Sequence, residues 1–213
     1  MKYLESVINS GLFGNLKKSE YIDAFEQLKV TGRKYGRGEA VYYEGDIINN
    51  VCIVDSGSIC AEKTYHDGEI HIVEVFEEGA IFGLEFAMSK TKKSAVDFIS
   101  NEDSIVVFVS LNFILKSDCA MKIQTMLTYE LADNNIRMAN KVEILAERSL
   151  RERILVYLNI LTGKAGSNTV TVRMNREQMA QFLCVNRSAL SNELNKMKKD
   201  GVIDFHKDKF TIL

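Results

Sequence analysis

Proline is absent from the 213 residues, so the usual helix punctuation is missing and glycine, asparagine and aspartate must mark the boundaries. The four cysteines, at 52, 60, 119 and 184, form no CxxC pair and no metal-like cluster. Neither a zinc ribbon nor a four-thiolate iron–sulfur site has its ligands in sequence, and buried thiols are the plain reading. No window approaches the roughly 18 uninterrupted apolar residues of a membrane span, and the N-terminal stretch carries acidic residues where a signal peptide needs an apolar core. A cytoplasmic protein with no membrane partner is expected. Histidine occurs only three times and no glycine-rich phosphate loop is present, so none of the usual catalytic templates fits and an enzyme is not expected.

What is present is ordinary for a soluble domain: 46% hydrophobic and 26% charged residues, enough for a sizeable core. The net charge of −2 hides an asymmetry. Residues 1–148 hold 16 Lys+Arg against 23 Asp+Glu, whereas residues 149–213 hold 11 against 6. A basic module is carried by an acidic one, which suits contact with a polyanion at the C-terminal end.

Three segments follow. From Thr31 to about Ser110, glycine turns recur at Gly36–Gly38, Gly45, Gly57, Gly68 and Gly79, separated by β-branched runs such as Val51–Val54, Ile70–Phe76 and Ser104–Val109. That pattern predicts an antiparallel barrel or roll, with Asp67-Gly68 as a hairpin turn and a ligand cavity as the natural use of the fold. From about 112 to 147 the glycines vanish. There Leu127, Leu131, Asn134, Met138, Lys141 and Leu145 trace a 4-3-4-3-4 seam, read as a parallel homodimer interface whose Asn and Lys fix register. After Ser149 come a helix over Arg151–Leu161, a loop over Gly163–Ser167, and a short strand at Val170–Val172. Two helices and a hairpin close the chain.

Residues 175–198, NREQMAQFLCVNRSALSNELNKMK, carry the chemistry. Asn175 can cap a helix with Gln178 reaching back three residues later, and Met179, Phe182 and Leu183 make its apolar face. Ala180 sits where a second helix must cross closely. Asn186 caps again after a turn at Cys184–Val185, and Leu190, Leu194 and Met197 form the inner face of the second helix. This is a helix-turn-helix. The outer face offers Arg187, Ser188, Ser191, Asn192 and Asn195, followed by Lys196, Lys198 and Lys199. Arg can read the edge of guanine, Asn that of adenine, and Ser or Lys base edges or phosphates. Arg176 and Asn186 are counted with this DNA-binding set. Gly201–Ile212 alternates apolar and polar residues around a polar tip, as a hairpin wing does.

The whole chain resembles the CRP/FNR family of bacterial transcription regulators. Tyr43-Glu44-Gly45-Asp46 and Val54-Asp55-Ser56-Gly57-Ser58 resemble turns of its β-roll, Gly79-Ala80-Ile81-Phe82-Gly83 the entrance to its phosphate cassette, and Asn186-Arg187-Ser188-Ala189-Leu190 its recognition helix. The resemblance implies an α+β fold: a cyclic-nucleotide-binding-like jelly roll over 1–111, a dimerisation helix over 112–147, and a winged helix-turn-helix over 148–213. It implies double-stranded DNA, a second copy of the chain and RNA polymerase at promoters as partners, with a small molecule as effector.

The cassette departs from the cyclic-AMP-binding members. Where they place Gly-Glu on the ribose and Arg-Ser on the phosphate, this chain has Gly83-Leu84-Glu85-Phe86 and Lys93-Ser94, and Met138-Ala139 replace the hydroxyls that face adenine. Lysine keeps a charge but lacks the planar fork that suits a phosphate, so the effector is expected to be a small molecule other than cyclic AMP, held near Gly83, Leu84, Glu85, Phe86, Lys93, Ser94 and Met138, with an effector-independent regulator as the second reading. Residues 1–51 lack the cysteine cluster of the oxygen-sensing branch. His66 and His71 are available to a haem branch, and Cys52, Cys60 or Cys119 to a thiol switch. No cofactor is expected. The recognition helix carries Arg187-Ser188 and Asn192 where those members have an Arg-Glu pair and a later Arg, which implies a different operator. The alternative is a regulatory subunit with the same roll that acts on a protein partner; it would have no use for the basic module.

Overall fold

The β-branched runs pair into two sheets in a computed structural model of the protein, which describes residues 1–65 and 68–213. One sheet has the order β1 (Val30–Tyr35), β8 (Ser104–Ser110), β3 (Asn50–Ser56), β6 (Ile81–Phe82). The other has the order β2 (Ala40–Tyr42), β7 (Asp97–Ser100), β4 (Ser58–Thr64), β5 (Ile70–Glu77). Strand β8 runs antiparallel between β1 and β3, with Val109 opposite both Val30 and Val51. In β3, four consecutive residues, Val51 to Val54, are fully buried. An unbroken apolar run of this kind belongs to a strand covered on both faces. One cover comes from helix α1 (Leu4–Asn9), tied to the strand by a hydrogen bond from Ser6 to Asp55, and another from the short helix α3 (Leu84–Ala87). Gly57 turns from β3 into β4 at φ 79°, and a Cβ there would lie 2.3 Å from Ser104 Oγ, so no larger residue fits. The hairpin turn expected at Asp67 lies outside the described residues.

The N-terminal segment, for which the sequence suggested no element, folds as α1 and α2 (Tyr21–Gln27). Val7, Leu12, Phe13, Leu16, Ala24 and Leu28 enter the same core as the roll.

The helical stretch expected over 112–147 is two helices, α4 (Leu111–Lys116) and α5 (Ala120–Ala146). Ser117, extended at ψ 156°, ends the first with its hydroxyl on the carbonyl of Ile114. The chain divides inside α5. One compact unit is Met1–Glu69 with Val73–Asn134, the other Ile70–Ile72 with Asn135–Leu213.

Three residues of the expected dimer seam, the most buried of them Leu127, have partners within the first unit. Leu127 is fully buried in the roll's core, Leu131 packs against that core, and Asn134 donates to Glu85 at 3.2 Å. The first half of this stripe therefore packs on the roll. The face left outward is the stripe one residue further along: Met121, Thr125, Thr128, Ala132, Asn135, Ala139, Val142 and Ala146, of which Thr125 is half-exposed and the rest exposed. One residue is about 100° of helix rotation.

In the second unit Ser149 and Glu152 form a capping box that opens α6 (Leu150–Ala165). The helix runs through Gly163 and stops at Gly166 in the left-handed region, so the expected loop begins three residues later than read. Then follow β9 (Thr169–Thr171), α7 (Arg176–Phe182), α8 (Arg187–Lys199), β10 (Ile203–His206) and β11 (Lys209–Ile212). The three strands form one sheet in the order β10-β11-β9.

Candidate nucleic-acid interface

Two asparagine caps set the helix pair. Asn175 Oδ1 accepts from the Gln178 amide at 3.0 Å while Gln178 Oε1 accepts from the Asn175 amide at 3.0 Å. Ala180 is 1% exposed, and its carbonyl accepts from Val185 N at 3.0 Å to close the turn, where Cys184 takes φ 55°. Asn186 Oδ1 then accepts from both the Ala189 amide and the Ser188 hydroxyl at 2.8 Å. Each cap satisfies amides that a helix start otherwise leaves open, worth about 1 kcal/mol. Leu190, Leu194 and Met197 are buried against the domain, at roughly 1.5–3 kcal/mol each. That burial fixes which face of α8 turns outward.

The outward face carries Asn186, Arg187, Ser188, Asn192, Asn195, Lys196 and Lys199, all exposed, with Ser191 half-buried beside them. The structure thus brings these expected DNA-binding residues onto one surface. Acids nearby are already engaged. Arg151 on α6 holds Glu193 at 2.8 Å and also bonds Asp200, and both contacts raise its pKa. Lys198 pairs with Asp204 at 2.6 Å and holds that carboxyl below its ordinary range. Lys198 is accordingly committed to the wing.

Arg176 departs from expectation. Its guanidinium lies 5.2 Å from the Phe205 ring centre and 4.8 Å from that of Phe210, and it donates to the Lys207 carbonyl at 2.8 Å. It faces the wing. Lys141, expected on the dimer seam, sits 3.2 Å from the Phe182 ring centre and donates to the Phe182 carbonyl. A cation with those partners anchors α5 to α7. Met138 and Leu145 are half-buried in the same unit.

The expected effector residues fall into two groups. Leu84 is 2% exposed and belongs to the roll's core, and Phe86 meets Phe98 edge-on at 6.1 Å. Phe98 in turn packs with Phe82 at 5.0 Å and Phe76 at 6.2 Å. The four rings thus cluster beside Gly83, which starts α3 at φ 69°. Ser94 is 3% exposed and spends its hydroxyl on the Val96 carbonyl at 2.6 Å, and Glu85 accepts from Asn134. Lys93 is exposed on the outside, its backbone bridging to Ile47. Leu84 is therefore part of the roll's core, and the Ser94 hydroxyl already has its partner.

His71 lies half-buried on β5, while His66 falls outside the described residues. Among the described residues no group of three or more His, Cys, Asp or Glu is placed to hold a metal ion, and no helix is long and apolar enough to cross a membrane. Cys52 is buried, its thiol pushed up to about 12 by loss of solvent. Such a thiol is inert.

A β-roll followed by a winged helix-turn-helix with a donor-rich outer face defines a DNA-binding regulator. The cyclic nucleotide-binding domain family matches residues 32–116, and the Crp-like helix-turn-helix domain family matches 136–213. The chain belongs to the CRP/FNR family of transcription regulators. It is 19% identical to the global nitrogen regulator of Synechococcus elongatus over 193 residues, 87% of each chain. Among solved structures it is similar to a CooA mutant from Carboxydothermus hydrogenoformans, with TM-score 0.74, 18% identity, and coverage of 94% of this chain and 90% of that one. It is also similar to FixK2 from Bradyrhizobium japonicum, with TM-score 0.70, 18% identity, and coverage of 87% and 93%.

Proposed function

We propose that the protein is a homodimeric, sequence-specific transcription regulator that reads a pseudo-palindromic operator with α8. The observation that carries this is the outer face of α8, where Arg187, Ser191, Asn192 and Asn195 lie together while Glu193 and Asp200 are held by Arg151. In this reading Arg187 reads a guanine edge, Asn192 or Asn195 an adenine, and Lys196 and Lys199 contact phosphates.

Dimerisation uses the outward stripe of α5 from Met121 to Ala146. Its occupant is a second copy, because the residues repeat at alternating spacings of four and three, the period of a two-stranded coil. The small side chains of Ala132, Ala139 and Ala146 allow close approach. Thr125 and Thr128 give their hydroxyls to the carbonyls of Met121 and Gln124, at 2.9 Å each, so burying them leaves no donor unpaired. Two recognition helices then address half-sites about one DNA turn apart. At promoters the partner is RNA polymerase.

Control falls to a small molecule other than cyclic AMP. The aromatic cluster and the committed Ser94 support this reading, since burying a cyclic phosphate without its bidentate partner loses the charge-assisted bonds that make such sites selective. An effector of this protein displaces the half-buried Phe86 and uses Lys93 as its anion partner.

The test is Arg187→Ala, measured on a selected operator and on random duplex in the same salt. The expected loss is about 1–3 kcal/mol on the operator and little on random DNA. An equal loss on both would refute base reading by Arg187.

A further inference from the structure

Arg176 opens α7, a helix end where a positive charge gains nothing from the backbone dipole. Its surroundings explain it better. Phe205 and Phe210 are cross-strand partners in the β10–β11 hairpin, their rings stacked at 5.6 Å and 27°. The guanidinium lies against both rings and gives a hydrogen bond to the carbonyl of Lys207. Lys207 is the tip residue and holds φ 56°, in the left-handed region, a conformation that costs a non-glycine residue and persists only where its surroundings impose it. From the other side Lys198 lies 5.2 Å from the Phe205 ring centre and donates to the Phe205 carbonyl at 3.1 Å. The tip is tied once more where the Asp208 carbonyl accepts from Val172 N at 2.8 Å. Beyond these ties His206, Lys207 and Lys209 stand exposed.

We infer that Arg176 is a positioning residue: it latches the wing to α7 and holds the left-handed tip so that Lys207 meets the DNA backbone, instead of contacting DNA itself. The inference rests on the DNA-binding reading above only for its consequence, since the latch exists in the protein alone. A planar guanidinium does here what a lysine cannot, stacking on two rings while aiming a donor at one carbonyl.

The experiment uses the full chain with Arg176→Ala, Arg176→Lys, Lys207→Ala and the Arg176→Ala/Lys207→Ala double variant. Without DNA, amide exchange over residues 204–210 is expected to quicken in both Arg176 variants and to stay unchanged in Lys207→Ala. With a random duplex, the slope of log affinity against log salt should fall by about 0.9 in each single variant, the share of one phosphate contact, and no further in the double variant. Unchanged exchange in the Arg176 variants would overturn the latch. So would a double variant that loses the sum of the two slopes, or an Arg176→Lys variant that keeps the parent slope, since either makes Arg176 a phosphate contact in its own right. A parent protein with no salt-dependent DNA binding would sink the proposed function, and the exchange data would still decide the latch.

Discussion

Leu127→Ala and Ala139→Glu, twelve residues apart on α5, should break two different things. Leu127 is fully buried in the roll's core, and removing its side chain leaves a cavity that costs about 3 kcal/mol. For a unit of this size that lowers the unfolding midpoint by roughly 10 °C. Ala139 is exposed on the outward stripe, so glutamate there barely perturbs the monomer. In a symmetric dimer each substitution appears twice. Two carboxylates facing one another across the seam lose hydration at about 2 kcal/mol apiece. The combined 4 kcal/mol or so weakens dimerisation roughly a thousandfold. Sedimentation equilibrium over a range of concentrations, paired with thermal unfolding by circular dichroism, separates the effects. Leu127→Ala should remain dimeric and melt early; Ala139→Glu should sediment as a monomer, with a midpoint that no longer rises with concentration. A monomeric but thermally normal Leu127→Ala protein, beside a dimeric Ala139→Glu protein, would refute the placement of the seam and restore the stripe through Leu127.

Asn186→Ala removes the α8 cap and the acceptor of Ser188 together, and should cost about 1 kcal/mol in the unfolding of the C-terminal unit. In the native protein a maleimide should label Cys119 and Cys184, which are partly exposed, and spare the buried Cys52 and Cys60 until denaturant is added. Because the Cys52 thiol is raised to about 12, folding disfavours its thiolate. Its contribution is intact below the unfolded value and declines by about 1.4 kcal/mol per unit as pH climbs from roughly 9 towards 12. The stability difference between parent and Cys52→Ala should shrink over that window, and a constant difference would contradict the assignment. Micromolar cyclic AMP should leave the thermal midpoint within about 1 °C; a larger stabilisation would contradict an effector other than cyclic AMP.

The DNA-binding half was legible because local chemistry determines it. Asn175 with Gln178, Asn186 with Ala189, and the small Ala180 are caps and crossings whose partners lie within a few residues. The packing of α5 was not legible in the same way. A helical period reveals that stripes exist and not which body each one meets, and the larger leucines at 127 and 131 went to the nearer core. The outward stripe proposed as the dimer face is mostly alanine and threonine, which carry little hydrophobic signal. The aromatic cluster of the roll is hidden in the sequence for a similar reason. Phe76, Phe82, Phe86 and Phe98 sit on four different elements, and only the fold brings their rings together. Arg176 was read by its place ahead of the helix-turn-helix, whereas its partners Phe205 and Phe210 lie about thirty residues away across the wing.

Selection of bound sequences from a pool of randomised duplexes tests the central claim most directly. The account predicts enrichment of an inverted repeat with half-site centres about 10 base pairs apart, a guanine in each half-site answering Arg187, and one dimer per site. Enrichment of no symmetric motif, with binding that depends on salt alone, would contradict it.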